Sequence, residues 1–297
     1  MEPASRLFAY VHAPREDHEP LLLGAIAPLV REIRGHPDLD SVSFSRTDTP
    51  DWLIRLLVRG RREWIEGAVR PRLREILRAL ERVAIVDERD LPGYRLEVRR
   101  WGGVEGILLA ERTSHHDTLA CLDWLELESR RLVSRTRREY SLLMTERLLD
   151  LLRLDRGQRL AFYRKGYAWP LEQGTWTGAD LEALDRKFLG LRQGLTDLLR
   201  DAAGSDPVAV WGGGEAARVA ERCLLALGPL ADAWIEARDA GRLEADWIHL
   251  VWSLAHVHSI RLGIESVPEA ILRYFMYRFH SEGAAPGHAD ALPGPGA

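Results

Sequence analysis

The chain has 297 residues, enough for one large domain or two ordinary ones with a sizeable core. Its two cysteines, Cys121 and Cys223, lie far apart and outside any CxxC spacing, which excludes a disulfide scaffold and argues against structural zinc. The formal charge of −4 gives no general attraction to nucleic acid. An export signal and long apolar runs are missing, so we expect a cytoplasmic protein without membrane spans.

The first third of the chain predicts a mixture of strands and helices. Alternating apolar and polar residues predict strands, and apolar residues at helical spacing predict the helices between them. The turn-like segment 47–50 joins two strands as a hairpin, and Gly102 and Gly103 end the last strand. The predicted strands are 6–12, 40–46, 52–59 and 94–100, and the predicted helices are 21–33 and 63–83.

The remainder of the chain is helical by pattern. One apolar stripe runs along 178–200 with Thr177 as its N-cap, and Gly263 is placed to end the helix 246–262. The other predicted helices are 118–127, 140–152, 216–227 and 230–239.

These elements predict an α+β fold, with an antiparallel or mixed sheet in the N-terminal third packed on a largely helical C-terminal region. We expect a single catalytic domain, 1–280, in which residues 1–105 form an α/β region and residues 106–280 form a helical region. The segment 281–297 is mostly Gly, Ala and Pro, and is expected to be a disordered tail.

Two short motifs have structural interpretations. The glycines 212–214 precede a helix without the lysine and Ser/Thr of a phosphate-binding loop, so we interpret them as a helix-entry turn. In His115-His116-Asp117, adjacent side chains on a helix point apart, and Asp117 is interpreted as the cap of a helix start. We therefore expect no metal site and no cofactor.

The helix 246–262 is the best candidate for carrying chemistry. It is apolar nearly all round, which predicts burial, yet it contains His249, His256 and His258. A desolvated imidazole suits a general acid or base, although core histidines bonded to backbone carbonyls would explain the same residues. His256 and His258 lie about 200° apart on a helix, so only one of them can face a given cavity.

Arginines among apolar strand neighbours indicate an anion-binding or carbonyl-binding cleft. Arg55 and Arg100 each lie in a predicted strand, and Arg46 lies at the end of another. A buried guanidinium needs a carboxylate, a carbonyl or a bound anion to offset its desolvation. Pairing with internal acids such as Glu97, or extension to solvent, is the alternative.

An ordered series of short segments extends over nearly the whole chain. The segments are SFSRTDTP (43–50), LIRLL (53–57), EVRRWGG (97–103), AE (110–111), HDT (116–118), RLAFYRKG (159–166), the apolar stripe 181–198 and SLAHVHSIRL (253–262). This series resembles the thiopeptide-type bacteriocin biosynthesis proteins, a family of stand-alone relatives of the C-terminal domain of lantibiotic dehydratases. The resemblance depends on the order of the segments rather than on one diagnostic motif.

The resemblance implies a peptide-modifying enzyme that performs one of two reactions. Some members eliminate glutamate from glutamylated Ser or Thr, and others join two dehydroalanines by a formal aza-(4+2) cycloaddition that forms the pyridine of thiopeptides. The eliminating enzymes typically carry a His-x-Arg-x-Arg strand, and its positions here are Leu53, Arg55 and Leu57. The Tyr that follows Arg46 in the family is Thr47, and the Asn before Arg261 is Ile260. These departures favour cycloaddition.

The resulting hypothesis assigns roles to nine residues. Cycloaddition requires two alkenes held in near-attack geometry and proton transfer during aromatisation, which an apolar cavity rich in tryptophan suits. We expect the substrate to be a ribosomally made, dehydroalanine-containing precursor peptide whose leader binds an exposed sheet edge. The predicted catalytic residues are His256, His258, Glu97 and Arg100, and the predicted substrate-binding residues are Arg46, Arg55, Tyr94, Trp101 and Trp252.

Two alternatives remain open on these residues. A glutamate-eliminating lyase would use the same cleft, and a non-catalytic scaffold would only deliver the precursor peptide to other biosynthetic enzymes. Membrane or nucleic-acid partners are not expected.

Overall fold

The computed structural model describes residues 4–47, 52–78, 80, 82–87, 94–203 and 206–282, without the side chains at 94, 95 and 201–203. A four-stranded antiparallel sheet in the N-terminal region packs on helices, which confirms the α+β fold class. The strand order is β2-β3-β1-β4. The strands are β1 Ser5–His12, β2 Leu39–Thr47, β3 Leu53–Gly60 and β4 Val83–Asp87.

The first two helices each contain a π-helical segment. Helix α1 consists of His18–Leu21, Leu22–Ile26 and Ala27–Ile33, and α2 consists of Arg62–Trp64, Ile65–Val69 and Arg70–Leu77. The later helices are α3 Tyr94–Arg100, α4 Gly103–Ser129, α5 Arg137–Leu151, α6 Arg156–Glu172, α7 Gly178–Ala203, α8 Pro207–Trp211, α9 Gly214–Asp239, α10 Trp247–Arg261 and α11 Ser266–Glu282. In the described ranges, none of these helices is long and apolar enough to cross a bilayer.

The two faces of the sheet differ in chemistry because side chains alternate along each strand. On β3, Ile54, Leu56 and Val58 are buried in the same apolar core as α1 and α2. The opposite face of this strand carries Arg55 and Leu57, which are half-buried. The strand pattern thus places arginine on the face away from the two N-terminal helices.

Side chains from the helical region cover the outer edge of β2. The amide of Val42 donates to His115 Nδ1, and the amide of Phe44 donates to Thr118 Oγ1, both at 3.2 Å. Arg261 Nε on α10 donates to the Phe44 carbonyl at 2.7 Å. An uncovered edge would offer these groups to another strand. Helices α4 and α10 therefore fix the position of the sheet against the helical region.

Helix α10 has the bounds that its sequence signals predict. The Asp246 carboxylate accepts a hydrogen bond from the His249 amide at 2.8 Å, as an N-cap does. The helix ends before Gly263, whose φ of 76° is in the left-handed region. A Cβ at Gly263 would lie 2.9 Å from Arg46 Nη1, the far end of a flexible side chain, so it is the backbone conformation that favours glycine here. The hairpin of β2 and β3, the Thr177 cap and the helix-entry turn at 212–214 are likewise confirmed.

Several predicted elements are wrong in type or extent. The segment Tyr94–Arg100 is helix α3 rather than a strand, because its Arg, Leu and Glu residues favour a helix and seven residues fit both periods. Helix α4 begins at Gly103, so Asp117 lies inside it and does not cap a helix start. The predicted helix 63–83 ends at Leu77, and Val83 begins strand β4.

Other helices were merged or missed by the pattern. The predicted pair 216–227 and 230–239 forms one helix, α9, with Pro229 inside it. Helices α6, α8 and α11 were not predicted as elements, and α11 includes Ser281 and Glu282 from the expected tail. The rest of that tail, 283–297, lies outside the described residues, as does most of the hairpin turn 47–50.

Gly166→Ala is expected to destabilise the protein by about 1–3 kcal/mol, because overpacking a filled core forces side chains from their preferred geometry. Gly166 lies on α6, and a Cβ there would be 2.7 Å from Cγ of the buried Arg273. The matched control is Gly190→Ala on the exposed side of α7, where nothing lies within 4 Å and removing a helical glycine should stabilise by about 1 kcal/mol. Urea denaturation of both variants measures the contrast, and equal shifts would contradict it.

Candidate functional site

A cleft lies between the polar face of the sheet and helices α3, α4 and α10. It encloses about 610 Å³ of space, part of it open to solvent. Its lining mixes apolar side chains with charged ones: Phe8, Ser43, Phe44, Ser45, Arg55, Leu57, Glu97, Arg100, Trp101, Ile107, Ala110, Glu111, Ser114, Val257 and Arg261.

Four predicted site residues meet in this cleft. Glu97 and Arg100 lie three residues apart on α3, so they share a face of that helix. Arg55 on β3 pairs with Glu97 at 3.7 Å, and the Arg100 guanidinium lies 5.7 Å from the ring centre of the buried Trp101. The predicted strand was wrong, yet Glu97 and Arg100 both line the cleft, because they lie on the same face of α3. The Tyr94 side chain lies outside the described residues.

Most cations at the cleft are already paired with carboxylates. Arg6 Nε donates to Glu111 Oε1 at 2.7 Å, and Arg59 Nη1 lies 3.6 Å from the other Glu111 oxygen. Arg261 pairs with Asp117, and Arg55 pairs with Glu97. Within the described residues of the chain, Arg100 is the cleft arginine without a carboxylate partner. The cleft is therefore less cationic than its arginine content indicates.

A buried ionic cluster centred on Asp117 of α4 adjoins the cleft through Arg261. Its Oδ1 lies 2.6 Å from His258 Nδ1, and its Oδ2 accepts from Arg261 Nη1 at 2.5 Å. Burial alone would raise the pKa of Asp117, but the charges of His258 and Arg261 hold it well below its usual value. Sequence reasoning missed this role for Asp117. The cluster fixes Arg261, which reaches both the cleft and the edge of β2.

His258 therefore does not face the cleft. Its side chain is only 7% exposed and lines a separate small cavity with Thr113, Met144 and Leu148. Cys121 lies close by, with Sγ 3.7 Å from His258 Nδ1. Asp117, Cys121 and His258 have the types and spacing of metal ligands. In the structure these three side chains are joined by hydrogen bonds, with Asp117 Oδ1 2.6 Å from His258 Nδ1 and 3.8 Å from Cys121 Sγ, which donates to it.

His256 lies on the opposite side of α10, on the helix face that is partly exposed. Trp252, His256 and Ile260 follow one another at four-residue spacing on that face, and all three are half-buried. The Trp252 ring is stacked on His256 at 4.9 Å, and Val257 beside His256 lines the cleft. As the sequence predicted, the two histidines face different surroundings. Neither His256 nor Trp252 is among the residues that line the cleft, and His256 adjoins it only through its neighbour Val257.

Arg46 does not join the other predicted cleft residues. Its Nη2 donates to the Arg261 carbonyl at 2.8 Å, and it lines a second pocket with Trp52, Arg137 and Gly263. Burial lowers the pKa of Arg46 to about 10, opposed by the nearby Glu19 carboxylate. In this position Arg46 binds the C-terminal end of α10, where a cation is favourable to the helix dipole.

The comparisons with known proteins agree with this architecture. The family model described as "Lantibiotic biosynthesis dehydratase C-term" matches residues 7–280. This match covers most of the chain and defines the class of protein, the C-terminal region of lantibiotic biosynthesis dehydratases. The chain belongs to that family. No curated protein matches its sequence.

Solved structures with the same fold include MibB, TbtD and TsrL. The tRNA-dependent lantibiotic dehydratase MibB from Microbispora sp. 107891 is 21% identical with a TM-score of 0.63, over 93% of this chain and 28% of MibB. The pyridine synthase TbtD from thiomuracin biosynthesis is 16% identical with a TM-score of 0.68, over 95% of this chain and 98% of TbtD. TsrL is 16% identical with a TM-score of 0.62, over 94% of this chain and 95% of TsrL. The chain thus spans about a quarter of MibB.

Proposed function

We propose that this protein is a pyridine-forming enzyme of thiopeptide maturation. Its substrate would be a ribosomally made precursor peptide bearing two dehydroalanines, handled in the cytoplasm after other biosynthetic enzymes have modified it. The reaction is a formal aza-(4+2) cycloaddition that joins the two alkenes and then loses water and the leader peptide as an amide. Pyridine synthase TbtD, which matches this chain over nearly its full length, supports the proposal at the level of fold.

The neutralised cleft is the observation that carries this choice. A leaving glutamate would bring carboxylates that need free guanidinium groups, whereas two of the three cleft-lining arginines in the described chain, Arg55 and Arg261, are paired with Glu97 and Asp117. The adjoining walls are apolar, with Leu57 and Trp101 among them. Such walls suit two uncharged alkenes, and holding them in contact supplies much of the acceleration of an addition reaction.

Three groups carry the proposed chemistry. Arg100 donates to a peptide carbonyl, and Glu97, which pairs with Arg55 at 3.7 Å, accepts from a peptide amide. His256 moves the proton during aromatisation. Its imidazole takes a proton from a ring carbon, and the C–H electrons form the ring double bond. The C–N bond to the leader breaks with its electrons on nitrogen, and the imidazolium returns the proton to that nitrogen.

The leader would bind at the outer edge of β4 rather than that of β2. The β2 edge is occupied by His115, Thr118 and Arg261. Strand β4 pairs with β1 on one side and is the last strand of the sheet in the described chain. Strand addition there would extend the sheet.

The test is incubation of the purified protein with a thiazolyl peptide that carries a leader and two dehydroalanines. Mass spectrometry is expected to detect a macrocycle that has lost water and the leader amide. Arg100→Ala, which removes the unpaired cleft cation, should raise KM, and Arg153→Ala in an exposed ion pair is the control. An unchanged peptide would support the scaffold alternative. Loss of glutamate from a glutamylated peptide would instead support elimination.

A further inference from the structure

The carboxylate of Glu269, buried beneath α10, lies between a histidine and an arginine. Glu269 Oε2 lies 2.6 Å from His256 Nδ1, and Oε1 accepts from Arg273 Nη2 at 3.0 Å. The side chains of Glu269 and Arg273 are 4% and 2% exposed, whereas His256 is 20% exposed. The carboxylate is thus held inside the protein, and the imidazole reaches from it to the surface.

The ionised carboxylate can only accept hydrogen bonds. Burial would raise the pKa of Glu269, but the hydrogen bond with His256 and the charge of Arg273 hold it below its usual value. Because the acceptor faces Nδ1, that nitrogen must carry the proton in the neutral imidazole. Nε2 then has the free electron pair.

Arg273 is itself fixed on several sides. Its Nη1 donates to Thr145 Oγ1 at 3.2 Å, and its Nη2 donates to Ser259 Oγ at 3.3 Å. The guanidinium lies 5.2 Å from the centre of the Phe162 ring, and Gly166 leaves room for its aliphatic part. Four helices therefore determine where Glu269 can hold the imidazole.

The plane of the His256 ring is fixed separately. Trp252 is stacked on it with an interplanar angle of 6° and a ring separation of 4.9 Å. Lys165 of α6 lies 5.9 Å from the centre of the Trp252 ring, within cation–π distance. With one nitrogen bonded to Glu269 and one ring face covered, the imidazole has a single preferred orientation.

We propose that Glu269 is a positioning residue that selects the Nδ1-protonated tautomer of His256 and leaves Nε2 as a proton acceptor on the partly exposed face of α10. The inference rests on the proposed function, since it assumes that His256 moves the proton during aromatisation. Arg273 supports it by keeping Glu269 in place and ionised. The arrangement is comparable to the carboxylate–imidazole pair of serine hydrolases, in which the carboxylate sets the tautomer of the imidazole and does not itself take the proton.

The first measurement is direct and needs no substrate. In protein labelled with ¹⁵N-histidine, long-range ¹H–¹⁵N spectra at a pH where imidazole is neutral distinguish the two tautomers. The ten histidines are separated by recording His256→Ala, in which one set of signals is lost. We expect His256 to have a protonated Nδ1 and a bare Nε2. A protonated Nε2 in the wild-type protein would overturn the inference.

The second measurement compares Glu269→Gln with a matched control. The amide can donate as well as accept, so the tautomers should mix, and kcat should fall by about 10–10⁴-fold with little change in KM. The control is Glu146→Gln, which alters another largely buried carboxylate beside a 20% exposed histidine, 3.2 Å from His280 Nε2. It should leave the His256 tautomer and kcat unchanged.

The outcomes separate this inference from the proposed function. Pyridine formation by a Glu269→Gln variant with unchanged kcat and tautomer would overturn the inference alone. A wild-type protein that makes no pyridine but has the expected tautomer, lost in Glu269→Gln, would overturn the proposed function and support the positioning role. If Glu269→Gln does not fold, the wild-type spectrum decides.

Discussion

Asp117→Ala is expected to lower the free energy of unfolding by about 3–5 kcal/mol, the largest stability effect of any single substitution proposed for this chain. The variant leaves Arg261 charged, buried and without its carboxylate, and it removes the acceptor for His258. Chemical denaturation monitored by tryptophan fluorescence measures the loss. A destabilisation below about 1 kcal/mol, typical of exposed pairs, would contradict the central role of this cluster.

Asp232→Ala is the matched control, because it breaks an aspartate–arginine pair whose side chains are 65% and 68% exposed. It should cost about 0–1 kcal/mol. The pH dependence gives a second readout. Since the folded pKa of Asp117 is below its usual value of 3.8, its stabilisation is complete above that pH and is lost as the pH falls through the folded pKa. The difference between wild type and Asp117→Asn should therefore shrink by about 1.4 kcal/mol per pH unit below pH 3.8.

His256→Ala is expected to reduce kcat for pyridine formation by about 10²–10⁴-fold, as removal of a general acid–base group does. The fold should survive, since the imidazole lies on the partly exposed face of α10 and the buried Glu269 keeps its ion pair with Arg273. Time courses followed by mass spectrometry, with substrate well above KM, isolate kcat from binding.

His280→Ala is the control for this substitution. Its side chain is also 20% exposed and also pairs with a carboxylate, that of Glu146. It lies near the end of α11, away from the residues that line the cleft. Equal activity of the two variants would remove His256 from the chemistry, while the cleft itself could still bind the peptide.

Local patterns account for the elements of the fold that were predicted correctly. The hairpin and helix α10 follow from periodicity and from end signals such as Asp246 and Gly263, which act within a few residues. Helix α3 could not be assigned in this way, because seven residues satisfy both strand and helix periods. Glu97 and Arg100 reach the cleft together because they share a face of this helix, whereas the predicted strand would have placed them on opposite faces.

The ionic cluster around Asp117 could not be predicted from local sequence. Asp117 is separated from His258 by 141 positions and from Arg261 by 144, so only tertiary packing brings them together. The same holds for Arg46, which the sequence placed in the cleft and which instead binds a carbonyl 215 positions away. Periodicity did separate His256 from His258, because the rotation between them depends only on helical geometry.

The covered edge of β2 has a consequence for how the chain folds. The amides of Val42 and Phe44 find their acceptors on α4, so the N-terminal sheet acquires its full hydrogen bonding only after the later helices have docked. During synthesis on the ribosome those amides emerge before their acceptors and stay unpaired until α4 has been made. A nascent chain halted near residue 90 would expose the unpaired edge of β2, and we expect such truncated products to self-associate.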